Sequence, residues 1–175
     1  ATSLKAYRTR CRRVGVDPTG NKLRRFYPDD IMLIPDFFSA GIMRQALPGV
    51  KAKIITAIAM FYDLESPQQF IQEIAELLAE DGVWHFEQSY MPSMLKANSY
   101  DTICHEHLEF YSFTVVKNLL EDCGLRVIDV ETNAVNGGSF AVSNTASVLL
   151  AFMFSSSLRP MFFRRFFSDD WVSID

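Results

Sequence analysis

Between Ser99 and Ser112 the chain reads Ser99-Tyr100-Asp101-Thr102-Ile103-Cys104-His105-Glu106-His107-Leu108-Glu109-Phe110-Tyr111-Ser112. This stretch gathers two of the three histidines, together with acids, tyrosines and a cysteine. An imidazole changes charge near neutral pH, and a neighbouring carboxylate can orient it, so His105-Glu106-His107 has the make-up of a proton-transfer site. A metal site is disfavoured: adjacent residues on a regular element point apart, and no His-Glu-x-x-His pattern occurs. A structural polar helix cap is the other reading. Asp17 is a second chemical candidate. It ends a short apolar strand ahead of Pro18-Thr19-Gly20, where a carboxylate can accept hydrogen bonds from ribose hydroxyls or cap the next helix. Asn136-Gly137-Gly138 reads as a tight turn whose glycines would also let a sugar or phosphate approach the backbone. His85 lies inside an expected strand and is read as structural.

The elements that must position these groups alternate. Residues 3–12 suit a basic helix end, 13–17 a strand, 22–27 a helical turn, 31–36 a strand and 37–47 a poorly patterned helix. Residues 52–60 form a near-continuous apolar run, the pattern of a parallel strand covered on both faces. Ser66 stands as N-cap with Pro67 at the first helical position. The following helix is expected to run to Glu80 with Phe70, Ile71, Ile74, Leu77 and Leu78 on one face, and Asp81-Gly82 ends it. Residues 83–87 read as a strand, 114–123 as an amphipathic helix closed by Gly124, 125–130 as a strand, and 139–142 as one more. Strands alternating with helices predict an α/β layered sheet, and open sheets of this kind keep their chemistry at strand ends.

Composition narrows the class. The 175 residues are 49% hydrophobic and 22% charged, as in ordinary globular proteins. A net charge of −4 argues against nucleic-acid binding. Lys5, Arg8, Arg10, Arg12, Arg13, Lys22, Arg24 and Arg25 crowd the first thirty residues, either as a solvated face or as a phosphate-attracting rim. Cys11, Cys104 and Cys123 lack metal or redox spacing, which predicts a reducing, cytoplasmic setting. No apolar run reaches the roughly 20 residues of a membrane span. The chain opens on Ala1-Thr2-Ser3-Leu4, which reads as a helix tail, so a fragment is expected. From about Ser143 the sequence changes character into an apolar and aromatic tail with Met161-Phe162-Phe163-Arg164-Arg165-Phe166-Phe167. The expected division is therefore 1–142 and 143–175.

The stretches Val14-Gly15-Val16-Asp17-Pro18-Thr19-Gly20-Asn21, Ile34-Pro35-Asp36-Phe37-Phe38-Ser39 and Ala59-Met60-Phe61-Tyr62-Asp63-Leu64 share a resemblance with the 99–112 block and with Val135-Asn136-Gly137-Gly138-Ser139-Phe140. Together, over residues 3–142, the chain resembles class I S-adenosylmethionine-dependent methyltransferases, within them the C-methyltransferases of nucleotide-linked keto-deoxysugars. The resemblance implies a Rossmann-like three-layer sandwich lacking its first strand, its glycine-rich motif and the family's C-terminal domain. It implies S-adenosylmethionine as cofactor, with Asp17 on the ribose, Asp36 and Phe37 at the adenine, and Ala59 and Met60 beside the sulfonium. It further implies His107 as general base, Glu106 to orient it or bind substrate, and Tyr62 on a sugar oxygen. Many sugar-methylating members carry Tyr where Cys104 stands, so this chain either lacks that donor or has His105 or Tyr111 in its place, and Asn136 and Gly137 would approach the substrate. The expected partner is a small molecule, possible self-association coming from uncovered sheet edges. An inactive or partner-binding remnant and a nicotinamide-dependent oxidoreductase are the alternatives.

Overall fold

A computed structural model describes residues 2–7 and 11–146, together with the backbone of 171–174; the side chains of Thr2 and Asn136 are outside that set. In chain order the elements are α1 (Thr2–Ala6), β1 (Arg13–Val16), α2 (Gly20–Leu23), β2 (Ile31–Ile34), α3 (Ala40–Ala46), β3 (Ala52–Ile58), α4 (Pro67–Leu77), β4 (Leu78–Ser89), α5 (Met91–Ala97), α6 (Phe113–Asp122), β5 (Arg126–Asn133), β6 (Ser139–Thr145) and β7 (Trp171–Ile174). The strands form one sheet in the order β2-β1-β7-β3-β4-β6-β5. β1, β2, β3, β4 and β7 are mutually parallel where they pair, and only β6 runs against its neighbours β4 and β5. The expected α/β fold is therefore present.

Helices flank both faces, giving three layers. On one face α3, α4 and α6 bury Met43, Phe70, Ile71, Ile74, Val116 and Leu120 against Val14, Ile55, Ala57, Trp84 and Phe86. The apolar side chains of α4 recur at spacings of three and four, so one face of the helix enters the core. On the other face Leu4 of α1 packs with Tyr27 and Ile31. Gly15 makes that approach possible, since a Cβ there would sit 2.7 Å from the Tyr27 ring.

Several boundaries differ from the sequence expectation. The first helix ends at Ala6, short of residue 12. α3 starts at Ala40, capped by Ser39, whose Oγ accepts Ile42 N–H at 3.2 Å. Ser66 does occupy the N-cap of α4, but its hydroxyl makes no capping bond. α4 stops at Leu77 because Leu78 already pairs with Ala52, after which an irregularity brings Val83 opposite Ile54. α5 was not expected at all. The position beside β1, expected to be empty, is taken by β7, with Val16 and Ala57 both opposite Ile174. Residues 143–145 complete β6, whereas the apolar run 148–154, Ser155-Ser156-Ser157 and the aromatic-basic block 161–167 lie outside the described residues. No helix among the described residues is long and apolar enough to cross a membrane.

Candidate active site

All the parallel strands end at one edge of the sheet, and Asp17, Asp36, Phe37, Ala59, Met60 and Tyr62 follow those ends. Asp17 comes directly after β1 and is 7% exposed. Its Oδ1 accepts Thr19 N–H at 2.7 Å and the Thr19 hydroxyl at 2.8 Å, and its Oδ2 accepts the Tyr27 hydroxyl at 3.3 Å. Asp17 thus shapes the Pro18-Thr19-Gly20 turn, and its carboxylate still has unused lone pairs. Past β2, Asp36 caps Phe37 N–H at 2.8 Å, and the Phe37 ring stands 74% exposed, a flat apolar surface at the strand end.

β3 ends in a strained turn. Ala59 adopts φ +54°, a left-handed conformation uncommon for a residue with a Cβ, and its N–H donates to Glu87 O at 2.8 Å. The turn sends Phe61 into the core and leaves Tyr62 at the rim, next to Met60. The Tyr62 carbonyl accepts two backbone N–H groups, from Leu108 at 3.1 Å and Glu109 at 3.0 Å. Those bonds stitch the 103–112 loop to the end of β3. The result is a ring contact between Tyr62 and His107 with centroids 4.4 Å apart.

The imidazole of His107 is oriented by its own loop. Its Nδ1 lies 2.8 Å from the Thr102 carbonyl, which can only accept, so Nδ1 carries the hydrogen and Nε2 is the basic nitrogen of the neutral ring. Thr102 is held in turn by the bond from its hydroxyl to Ser99 O at 3.1 Å. Glu106 is paired with its exposed neighbour His105 at 3.4 Å. Asp63, a residue that sequence reasoning passed over, is a carboxylic acid on whose ionisation His107 acts. Burial pushes its carboxyl up, with His107 pulling it down and Glu106 adding to the rise. The Tyr62 phenol is raised by burial and by the charges of Asp63 and Cys104.

Other expected residues lie elsewhere. Tyr111 is 5% exposed, packs on Phe61 with centroids 5.4 Å apart, and burial pushes its phenol up to about 12. Gly137 and Gly138, at φ +79° and +126°, press against Ser99 and Ser93, so this turn is docked on α5 and the loop after it. The Asn136 side chain is outside the described residues. His85 bonds Ser143 across the sheet at 3.0 Å, away from the strand ends and consistent with a structural part. No cluster of three metal-ligating side chains occurs among the described residues.

The fold and the strand-end site together define a nucleotide-cofactor type of α/β domain. The family model for a methyltransferase domain matches residues 3–130, and the chain belongs to that family. Among characterised proteins, C-methyltransferase NovU of Streptomyces niveus is 34% identical over 130 residues, covering 74% of this chain and 31% of NovU. The chain therefore spans about a third of the length of that relative. Among solved structures, the methyltransferase bound to the Haloferax volcanii Trm112 methyltransferase activator superposes with a TM-score of 0.60 at 14% identity, covering 83% of this chain and 88% of the other. An S-adenosylmethionine-dependent methyltransferase of Thermotoga maritima superposes with a TM-score of 0.56 at 14% identity, over 77% of this chain and 73% of the other.

Proposed function

We propose that this domain binds S-adenosylmethionine and, within a C-methyltransferase acting on a nucleotide-linked keto-sugar, supplies the base that removes the substrate's carbon-bound proton. The observation that carries the reading is the His107 imidazole: its Nδ1–H is committed to Thr102 O at 2.8 Å, and its ring lies against Tyr62 at the end of β3. The likeness to NovU, a C-methyltransferase, supports a carbon acceptor, and the keto-sugar class follows from the motif resemblance.

The residues present fit the adenosine half of the cofactor. Asp17 offers lone pairs to ribose hydroxyls, Asp36 can accept an exocyclic amine, and the exposed Phe37 ring can cover a base face. Ala59 and Met60 stand in the turn after β3 just ahead of Tyr62, whose ring meets His107, and are assigned to the sulfonium end of the cofactor. When bound, S-adenosylmethionine supplies an electrophilic methyl group. The chain's own work is acid–base. Nε2 of His107 accepts the proton from the carbon beside the substrate carbonyl, and a positioned base of this kind accounts for about 10²- to 10⁴-fold in rate. The Tyr62 ring packs at a tilt of 53° against the imidazole and Thr102 O holds its tautomer, so the ring is aligned before substrate arrives.

Calorimetric titration tests the cofactor assignment. S-adenosylhomocysteine is expected to bind and NAD to leave no heat signal, with Phe37→Ala weakening the former. Binding of NAD without S-adenosylhomocysteine would overturn the reading in favour of an oxidoreductase.

A further inference from the structure

Two buried polar side chains at the carboxyl edge of the sheet have no hydrogen-bond partner among the described residues. Gln88, at the end of β4, is 1% exposed with both amide atoms unpaired, and Tyr111 is 5% exposed with its hydroxyl unpaired. Native proteins pair nearly all such groups, so each exception calls for a cause.

The two share one layer of the core. Strand alternation directs Gln88 to the same face as Trp84 and Phe86. The Phe61 ring lies 5.2 Å from Phe86 and 5.4 Å from Tyr111, and the Tyr111 carbonyl accepts Met91 N–H at 3.0 Å, three residues beyond Gln88. This layer sits directly behind the rim, since Tyr62 follows Phe61 and His107 lies four residues before Tyr111. If the positions served only to fill space, Leu and Phe would do so without stranding polar atoms. A primary amide offers two donors and an acceptor, and a phenol adds a third donor, a set that suits an oxygen carrying a proton or a carbonyl oxygen. Burial pushes the phenol up to about 12, so it stays a donor at any physiological pH.

We propose that Gln88 and Tyr111 determine acceptor specificity by receiving an oxygen substituent of the sugar. The proposal rests on the functional reading above and deepens it. A site built to hydrogen-bond an oxygen rejects an analogue lacking it by about 10⁴-fold or more, because its buried polar groups are then left stranded.

The test uses the full chain and its Gln88→Leu and Tyr111→Phe variants. It measures melting temperature and the affinity for thymidine diphosphate 4-keto-6-deoxyglucose and for S-adenosylhomocysteine. The expected result is sugar nucleotide binding weakened by roughly tenfold or more, with cofactor affinity unchanged and the melting temperature of the free variants level or higher. Sugar affinity within about twofold of the parent overturns the proposal. So does a fall in melting temperature with affinity unchanged, the mark of a structural water held by these groups. Tyr111→Phe removes one oxygen and carries the test alone if Gln88→Leu does not fold. A parent chain that ignores the sugar nucleotide overturns the functional reading as well, whereas equal binding by parent and variants removes only this inference.

Discussion

The hydrogen on Nδ1 of His107 goes to a backbone carbonyl, the adjacent Glu106 pairs with His105, and the carboxyl group on which His107 acts is that of Asp63. Asp63 therefore has its own pH signature. Burial is the main cause of its raised carboxyl, so the native state holds that proton more tightly than the unfolded chain does. Stability then falls as pH rises above the usual 3.8, and stays lower at neutral pH. Asp63→Asn is expected to melt higher than the parent at pH 7, with the difference closing below about pH 3.8, where both side chains are neutral. Thermal denaturation across pH checks this, and a variant that melts lower at pH 7 contradicts it. His107 was a candidate in the sequence because an imidazole next to acids is chemically marked, and Tyr62 was one through the family resemblance. Asp63 and Gln88 were not. Nothing in an isolated carboxylate or amide tells which side chain will be folded against it.

Among the elements, β4 and β6 are joined at mid-sheet by His85 and Ser143, 3.0 Å apart. Burial lowers the His85 ring, with Glu87, Glu131 and Asp129 pulling it back up. Because its native value is depressed, the unfolded chain takes up the proton first. Stability is whole above the usual 6.5 and drains away as pH falls through the native value. His85→Gln, which can still bond Ser143, is expected to flatten the decline in melting temperature between about pH 6.5 and 5. An unchanged slope would show that other groups govern it. Element legibility followed the strength of periodicity. β3 and α4 were clear because one is a long apolar run and the other repeats Phe70, Ile71, Ile74 and Leu77. α5 escaped because it is short, begins on Met91-Pro92 without a polar cap, and buries only Met94. Its sequence signals are Pro92 in the first turn and Asn98, which ends the helix at φ +53°. The early start of β4 escaped for another reason: Leu78 fits the helical pattern, yet pairing with Ala52 takes precedence.

At the scale of the whole molecule, β7 holds the two halves of the sheet together. It lies between β1 and β3 and pairs with both along its four residues. Without it, β1 and β3 would each present an unpaired parallel edge at the middle of the sheet, a template for association. A chain ending at residue 170 is expected to melt lower and to shift toward larger species in size-exclusion chromatography. Identical melting and elution would mean that β7 adds nothing. This placement was out of reach of pattern reading, since a four-residue segment carries little periodicity and its partners lie more than a hundred residues away. The methyltransferase fold was legible from motif order alone, and the strand that completes it was not.

The decisive measurement is solvent exchange at carbon. The chain is incubated in deuterium oxide with thymidine diphosphate 4-keto-6-deoxyglucose and S-adenosylhomocysteine, and the hydrogen beside the carbonyl is followed by NMR. Proton removal by His107 predicts wash-in of deuterium by the parent and a rate lower by about 10²-fold or more for His107→Gln. Exchange by His107→Gln at the parental rate would contradict the account.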